Sequence, residues 1–221
     1  MNEQYYRLKQ LYLINPHSYE VLFKLGNILS HEGRLNQSIK AFRKAISLKD
    51  DLWGVHYNLA LALLSYGDYE NGWIEYRSRI YINPPVNVHF RPKLPCWNGD
   101  LSNKEKKLIL ISEQGLGDTI QFIRYAKVLE RIGFDVSVGV IEPLLDIIKA
   151  SNVVKRVYSL SDLSSFQSGF WSSLMTVPEY LNVSPSNPIL VDPYIKSSKD
   201  KYDYWSCKLC DEKRPIIGIN W

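Results

Sequence analysis

The sequence predicts an α + α/β protein, in which helical hairpins precede a Rossmann-like domain with a parallel sheet. Apolar positions recur every 34 residues in the N-terminal third, and from Lys106 onward short β-branched runs alternate with helical stretches. A chain of 221 residues is long enough for two modest domains, each with its own core. We therefore expect hairpins over 1–83, a linker over 84–105 and an α/β domain over 106–213.

The repeat joins five pairs of positions in one register. The pairs are Leu25 and Leu59, Gly26 and Ala60, Leu29 and Leu63, Gly33 and Gly67, and Phe42 and Tyr76. Each copy predicts two amphipathic helices, because an apolar stripe lies on either side of the turn glycine. The small residue in the first helix would let the two helices approach closely.

These hairpins resemble the tetratricopeptide repeat, whose period is about 34 residues. The first copy carries L-G-x-x-L and a later F-x-x-A, whereas in the second Arg79 stands where the family has a small residue. Tyr5 to Ile14 would be the second helix of a preceding repeat, with an apolar stripe at Tyr5, Leu8, Leu11 and Tyr12. Two and a half repeats are fewer than the three or so that usually bury a continuous core, which favours docking on the α/β domain. A groove for a protein or peptide partner is the alternative use of the hairpins.

Proline-rich composition marks 84–105 as an extended linker, in which Trp97 is expected to anchor the chain in a pocket. Five elements are expected after it. They are strands at Lys107–Ser112, Asp135–Val140 and Val154–Ser159, and helices at Thr119–Ile132 and Pro143–Ala150. Such alternation predicts a parallel sheet whose ligands bind beyond the carboxyl ends of its strands.

The loop Glu113–Thr119, E-Q-G-L-G-D-T, lies at such an end. Ile120 stands where G-x-G-x-x-G needs its third glycine, and no G-K-[ST] follows, so neither phosphate-binding fingerprint is present. Asp118 would compete with a phosphate for the helix amides, which suits a general base better than a phosphate site. A helix cap, with Gln121 three residues on, is the alternative role of Asp118.

Two motifs extend the resemblance: P-x-W-x-G from Pro95 to Gly99, and E-Q-G-L-G-D-T-I-Q-F-x-R-Y from Glu113 to Tyr125. They resemble bacterial proteins that fuse tetratricopeptide repeats to a glycosyltransferase family nine domain, relatives of the ADP-heptose:lipopolysaccharide heptosyltransferases. Supporting matches are Leu174–Pro178, Pro193–Ile195 and Ile217–Trp221. The resemblance implies the N-terminal half of a GT-B fold, in which the first domain binds a glycan or protein acceptor. The second domain would bind a nucleotide-diphosphate sugar for hexosyl or heptosyl transfer.

The same resemblance implies that Asp118 is the catalytic base, and Gln114, Gly115, Gly117 and Thr119 are expected to flank the acceptor. No metal is required by this scheme, and we find no cluster of ligands for one. Residues 214–221 resemble the first strand of the donor-binding domain. The sequence thus predicts a fragment that binds no cofactor itself and is inactive alone.

Two other functions compete with this one. The first is a non-catalytic tetratricopeptide interaction module on a passive α/β platform, and the second is a stand-alone nucleotide-binding protein, which the absent fingerprints disfavour. The net charge of +4 is too dispersed for nucleic acid, and no apolar run reaches the roughly 18 residues of a membrane span. The polar start lacks a signal peptide, so a cytoplasmic location is expected. Cys207 and Cys210 form C-x-x-C without further zinc ligands, which favours two plain helix thiols.

Overall fold

A computed structural model describes residues 3–82, 88–189 and 192–212. It consists of a helical region followed by a small parallel sheet with flanking helices, which confirms the predicted fold class. The predicted strand at 214–221 lies outside the described residues, and so do Pro84 and Pro85 of the linker.

The N-terminal region is built from five helices whose neighbours in sequence pack on each other. They are α1 (Glu3–Ile14), α2 (Tyr19–His31), α3 (Leu35–Leu48), α4 (Trp53–Tyr66) and α5 (Tyr69–Tyr76), followed by a 3-10 helix at Arg77–Ile80. Gly33 and Gly67 close the two hairpin turns at φ +73° and +97°, a left-handed conformation that favours glycine. The repeat period therefore corresponds to two successive hairpins, α2–α3 and α4–α5.

Close helix packing in the first hairpin depends on Gly26. A Cβ atom at this position would overlap the ring of Phe42, which is fully buried between the helices. The Ser38 hydroxyl donates to the Gly26 carbonyl over 2.8 Å, from the facing helix. The glycine thus sets the distance between α2 and α3, as the sequence predicts.

Helix α1 covers one side of α2 and leaves apolar surface open. Leu8 is buried, but Leu13 and Ile14 are 73% and 81% exposed. The predicted stripe is wrong at Leu11, which is 42% exposed, because α2 and α3 contact only one face of this helix.

The α/β unit has four parallel strands in the order β3-β2-β1-β4. The strands are β1 (Lys107–Ile111), β2 (Asp135–Val140), β3 (Val157–Ser159) and β4 (Phe170–Ser173). The helices are α6 (Leu116–Phe122), α7 (Arg124–Arg131), α8 (Glu142–Ser151), α9 (Val177–Tyr180) and α10 (Lys199–Leu209). The predicted single helix over 119–132 is therefore two helices, α6 and α7, and the first of them begins three residues earlier than predicted. Strand β4 was not predicted. Strand β1 lies inside the sheet and is covered on both faces, which explains its continuous apolar run.

The segment before β1 packs on the α/β unit through Trp97. The ring is 2% exposed and contacts the rings of Phe134 and Tyr180, with centroids 5.4 and 4.9 Å away. The backbone N–H of Trp97 donates to the Trp171 carbonyl over 2.7 Å, so this segment forms a short bridge with β4. The expected anchor is present, and its pocket belongs to the α/β unit.

The hairpins and the α/β unit share one hydrophobic core. Ala60 and Tyr76 of the second hairpin lie in the same cluster as Leu110 of β1 and Phe122 of α6. The expected docking of the hairpins is therefore confirmed. Within the residues that the structure describes, none of the helices is both long enough and apolar enough to cross a membrane.

Candidate functional site

The loop after β1 turns sharply at Gln114, whose φ of +59° is rare for a residue with a side chain. Two neighbours hold this conformation. The Gln114 side-chain amide donates to the Tyr76 hydroxyl over 2.7 Å, and the Gln114 carbonyl accepts from His89 Nε2 over 3.0 Å. The first contact comes from the hairpins and the second from the segment before β1, so both regions fix the loop.

The two ring nitrogens of His89 both make hydrogen bonds. Nε2 must carry the proton that is donated to the Gln114 carbonyl, and in the neutral imidazole Nδ1 then accepts from the Ser112 hydroxyl, 2.8 Å away. The preceding residue, Val88, forms an antiparallel bridge with Glu113. Sequence reasoning missed His89, because nothing in the linker pattern indicates which residue crosses the loop.

Asp118 lies in the first turn of α6 and is partly exposed. Its Oδ2 accepts the backbone N–H of Gly115 over 2.9 Å. The N-cap residue is Gly115 rather than Asp118, which corrects the predicted cap, because the helix begins at Leu116 instead of Thr119. In the part of the chain that the structure describes, Asp118 Oδ1 makes no hydrogen bond. Capping therefore occupies one oxygen, and the other can accept a proton.

The other predicted acceptor-binding residues divide into exposed and inward-facing groups. Gly115 and Gly117 are exposed, and the space beyond Gly117 is open. Thr119 is 1% exposed and its hydroxyl donates to the Gly115 carbonyl over 3.3 Å, while the Gln114 side chain points to the hairpins. Contact of these residues with an acceptor stays a prediction, and the glycines with Asp118 form the accessible part of the loop.

Beneath the loop lies a buried ion pair between the two units of the chain. Arg79 and Glu113 are each 1% exposed, and their side chains meet in a two-point contact. Arg79 Nη2 lies 2.7 Å from Glu113 Oε1, and Nε lies 3.3 Å from Oε2. Sequence reasoning identified Arg79 as atypical for a repeat and Glu113 as part of the motif, but it did not pair them.

The remaining hydrogen-bonding groups of this pair also find partners. Arg79 donates to the hydroxyls of Ser173 and Thr176, over 3.0 and 2.8 Å, and to the Tyr76 carbonyl over 3.0 Å. The Ser173 hydroxyl donates to Glu113. Buried charges are tolerated when paired and hydrogen-bonded in this way. The network joins the hairpins to the carboxyl ends of β1 and β4.

Tyr76 completes the junction as a neutral phenol. Its side chain is 5% exposed, and burial raises its pKa to about 12. The hydroxyl therefore remains protonated over the physiological pH range while it accepts from Gln114. No charge is introduced on the hairpin side of the loop at this position.

Arg124 of the central motif and Tyr194 of the supporting match at Pro193–Ile195 meet at the break between α6 and α7. Arg124 donates to the Tyr194 hydroxyl over 3.0 Å, and that hydroxyl donates to the Ile120 carbonyl over 2.9 Å. These contacts support α6 from outside, so Arg124 has a structural role here. Across the three described segments, no three His, Cys, Asp or Glu side chains converge as metal ligands. Cys207 and Cys210 are exposed thiols.

Comparison with known proteins identifies one part of the chain. A family model described as tetratricopeptide repeat matches residues 19–52, which comprise α2, α3 and the connection to α4. Among solved structures, the chain is similar to a mutant of the O-GlcNAc transferase of Thermobaculum terrenum, at 18% identity and a TM-score of 0.32. The match covers 71% of this chain and 31% of that chain, so it spans less than a third of that structure. Likeness at this level supports no conclusion about function.

A comparison with curated proteins found no match. The likeness to glycosyltransferase family nine stays a prediction from the motif. Residues 19–52 match the tetratricopeptide repeat, and the hairpin that follows docks this segment on the α/β unit.

Proposed function

We propose that this chain provides the acceptor side of a nucleotide-sugar-dependent glycosyltransferase of the GT-B type. One observation carries the proposal: the E-Q-G-L-G-D-T loop lies at the carboxyl end of β1 in a parallel sheet, with Asp118 partly exposed beside two exposed glycines, Gly115 and Gly117. Ligands of such sheets bind at this edge. The motif in that loop resembles the family nine glycosyltransferases, and its placement suits the role of the aspartate there.

The chemistry assigned to Asp118 is general base catalysis. Its free Oδ1 would take the proton of an acceptor hydroxyl while the hydroxyl oxygen attacks the anomeric carbon of the donor. The bond from that carbon to the diphosphate breaks at the same time, and the nucleoside diphosphate leaves with the electron pair. A second α/β domain would hold the nucleotide-diphosphate sugar and stabilise the departing charge.

The hairpins would act in this reaction by fixing the acceptor loop. Arg79 holds Glu113, which precedes the turn, and Tyr76 holds Gln114, where the backbone turns. The contact of Arg79 with Glu113 is buried and that of Tyr76 with Gln114 is partly buried, which limits the conformations open to the residues between Gln114 and Asp118. A site held by rigid neighbouring elements keeps its groups near the productive geometry.

The test compares Asp118→Asn with the wild type in the longest natural protein that contains this sequence. Release of nucleoside diphosphate from a panel of nucleotide-diphosphate sugars would be measured with and without glycan acceptors. Asparagine can still accept the Gly115 N–H, so the helix cap is retained while the base is lost. We expect kcat to fall by about a hundredfold or more, the usual contribution of a general base.

The matched control is Asp146→Asn, which removes an exposed carboxylate from α8. This variant should retain wild-type turnover. Wild-type turnover in Asp118→Asn would remove the proposed mechanism, even if transfer itself is observed.

A non-catalytic interaction module is the second candidate. The tetratricopeptide match at residues 19–52 supports it, together with Leu61 and Tyr66 of α4, which are 41% and 52% exposed. This candidate predicts that Asp118→Asn complements a deletion of the gene, whereas Leu61→Glu does not. The glycosyltransferase proposal predicts that Asp118→Asn fails to complement.

A further inference from the structure

A cavity of about 480 Å³ lies between the second hairpin and the α/β unit. One wall is formed by Glu70, Trp73 and Ile74 of α5, and the opposite wall includes Glu179 and Asn182 from α9 and the turn after it. None of the residues of the loop after β1 lines this cavity. It is therefore a separate feature of the junction.

The walls of the cavity are held together by contacts between the two units. The Trp73 indole N–H donates to the Val183 carbonyl over 3.0 Å. Arg77 and Glu179 form a two-point ion pair in which Nε and Oε2 are 2.7 Å apart. The backbone of Asn182 has φ +50°, and its carbonyl accepts from the Asn187 side chain over 3.0 Å. The cavity is thus preformed rather than created by a ligand.

The charge of the cavity is negative. Among the described residues, the lining carries two carboxylates, Glu70 and Glu179, and no cation, and Arg77 already pairs with Glu179. Glu70 is exposed and makes no hydrogen bond or ion pair within the described residues. Beside this unpaired carboxylate lies the indole of Trp73, the aromatic ring that attracts cations most strongly.

We propose that this cavity binds the side chain of an arginine or lysine presented by a protein partner. The aliphatic stem of such a side chain would contact Trp73 and Ile74, while its cationic head pairs with Glu70. A neutral sugar gains less from this lining, because it brings no positive charge to the Glu70 carboxylate. The proposal does not depend on the role of Asp118.

The test is a titration of the ¹⁵N-labelled chain with two blocked dipeptides, acetyl-Arg-Gly-amide and acetyl-Gln-Gly-amide. The NMR resonance of the Trp73 indole N–H, assigned with Trp73→Phe, reports occupancy of the cavity. The arginine peptide should shift this resonance saturably, and the glutamine peptide should not. About 0.5 M salt should weaken the binding, because exposed charges are screened.

Glu70→Gln should raise the Kd of the arginine peptide by about three- to fivefold, the effect of losing an exposed ion pair. Glu105→Gln removes the same charge from an exposed site that does not line the cavity, and it should leave the Kd unchanged. Equal effects of the two variants would overturn the proposal. So would equal binding of the two dipeptides, or a shift of the Trp73 resonance by chitobiose alone.

Discussion

The two hairpin repeats use the same position for different contacts. Ala45 of the first repeat is fully buried against the neighbouring helices. Its counterpart 34 residues later is Arg79, which is equally buried but extends to Glu113 in the α/β unit. The same position therefore packs one repeat internally and fastens the other repeat to its neighbour.

The second helices of the two repeats also differ in length. Helix α3 has 14 residues, whereas α5 has 8 and continues as a 3-10 helix at Arg77–Ile80. In a 3-10 helix, side chains three residues apart eclipse each other, which agrees with the Arg79 guanidinium lying 4.7 Å from the centre of the Tyr76 ring. Terminal repeats of an array are commonly atypical, because they must cover an open face. Here the α/β unit covers that face.

The largest effect is expected from Arg79→Met. This change leaves Glu113 buried without a counter-charge, so we expect the free energy of unfolding to fall by about 3–5 kcal/mol. Adding Glu113→Gln should recover part of the loss, since glutamine can still accept from the Ser173 hydroxyl. Urea unfolding of the single and double variants measures both effects.

The matched control for Arg79→Met is Arg77→Met, on the same turn. The Arg77 side chain is 51% exposed in its pair with Glu179, whereas Arg79 is buried, so removal of Arg77 should destabilise the chain by less than removal of Arg79. Equal losses in the two variants would mean that the buried pair does not distinguish the second repeat from the first.

An alkaline pH dependence is expected from Tyr76, which occupies the position of Phe42 in the first repeat. Burial raises its pKa from 10.0 to about 12, so the unfolded chain loses this proton at lower pH than the folded chain does. Stability from this group is fully present below about pH 10 and is lost as pH rises toward about 12, by about 2–3 kcal/mol. Urea unfolding across this range should show a shallower decline in Tyr76→Phe than in the wild type.

The corresponding control is Tyr66→Phe, because Tyr66 is 52% exposed. Its decline with pH should equal that of the wild type. A Tyr76→Phe variant with the wild-type decline would show that the junction does not protect this phenol.

The smallest effect is expected from Gly26→Ala, at the position that Ala60 occupies in the second repeat. The added methyl group would overlap the ring of Phe42, so the free energy of unfolding should fall by about 1–3 kcal/mol. Phe42→Leu in the same chain should reduce this penalty. Thermal unfolding monitored by circular dichroism would measure both.

Gly54→Ala is the control for a methyl group added to a helix, because the space at that position is open. It should stabilise the chain by up to about 1 kcal/mol. If Gly26→Ala has the same effect, then close packing at Gly26 is not required by the first repeat.

The sequence by itself determined the hairpins, the alternation of strands and helices, and the placement of the motif loop. Repeat period and apolar spacing are local properties, so they are readable without contacts between distant residues. The edge of the sheet at which Asp118 lies also followed, because parallel strands bring their carboxyl ends together. Strand β4, with the sequence F-W-S-S, was missed because it has no β-branched residue and half of it is polar.

Tertiary structure alone decided which residues hold that loop. Arg79 and Glu113 belong to different units, and only docking of the hairpins brings them together with Ser173 of β4. The inward turn of Thr119 follows from the early start of α6, which the glycines of the loop permit but do not specify. Contacts of this kind depend on how two packed surfaces meet, and no periodic pattern in a single sequence encodes that meeting.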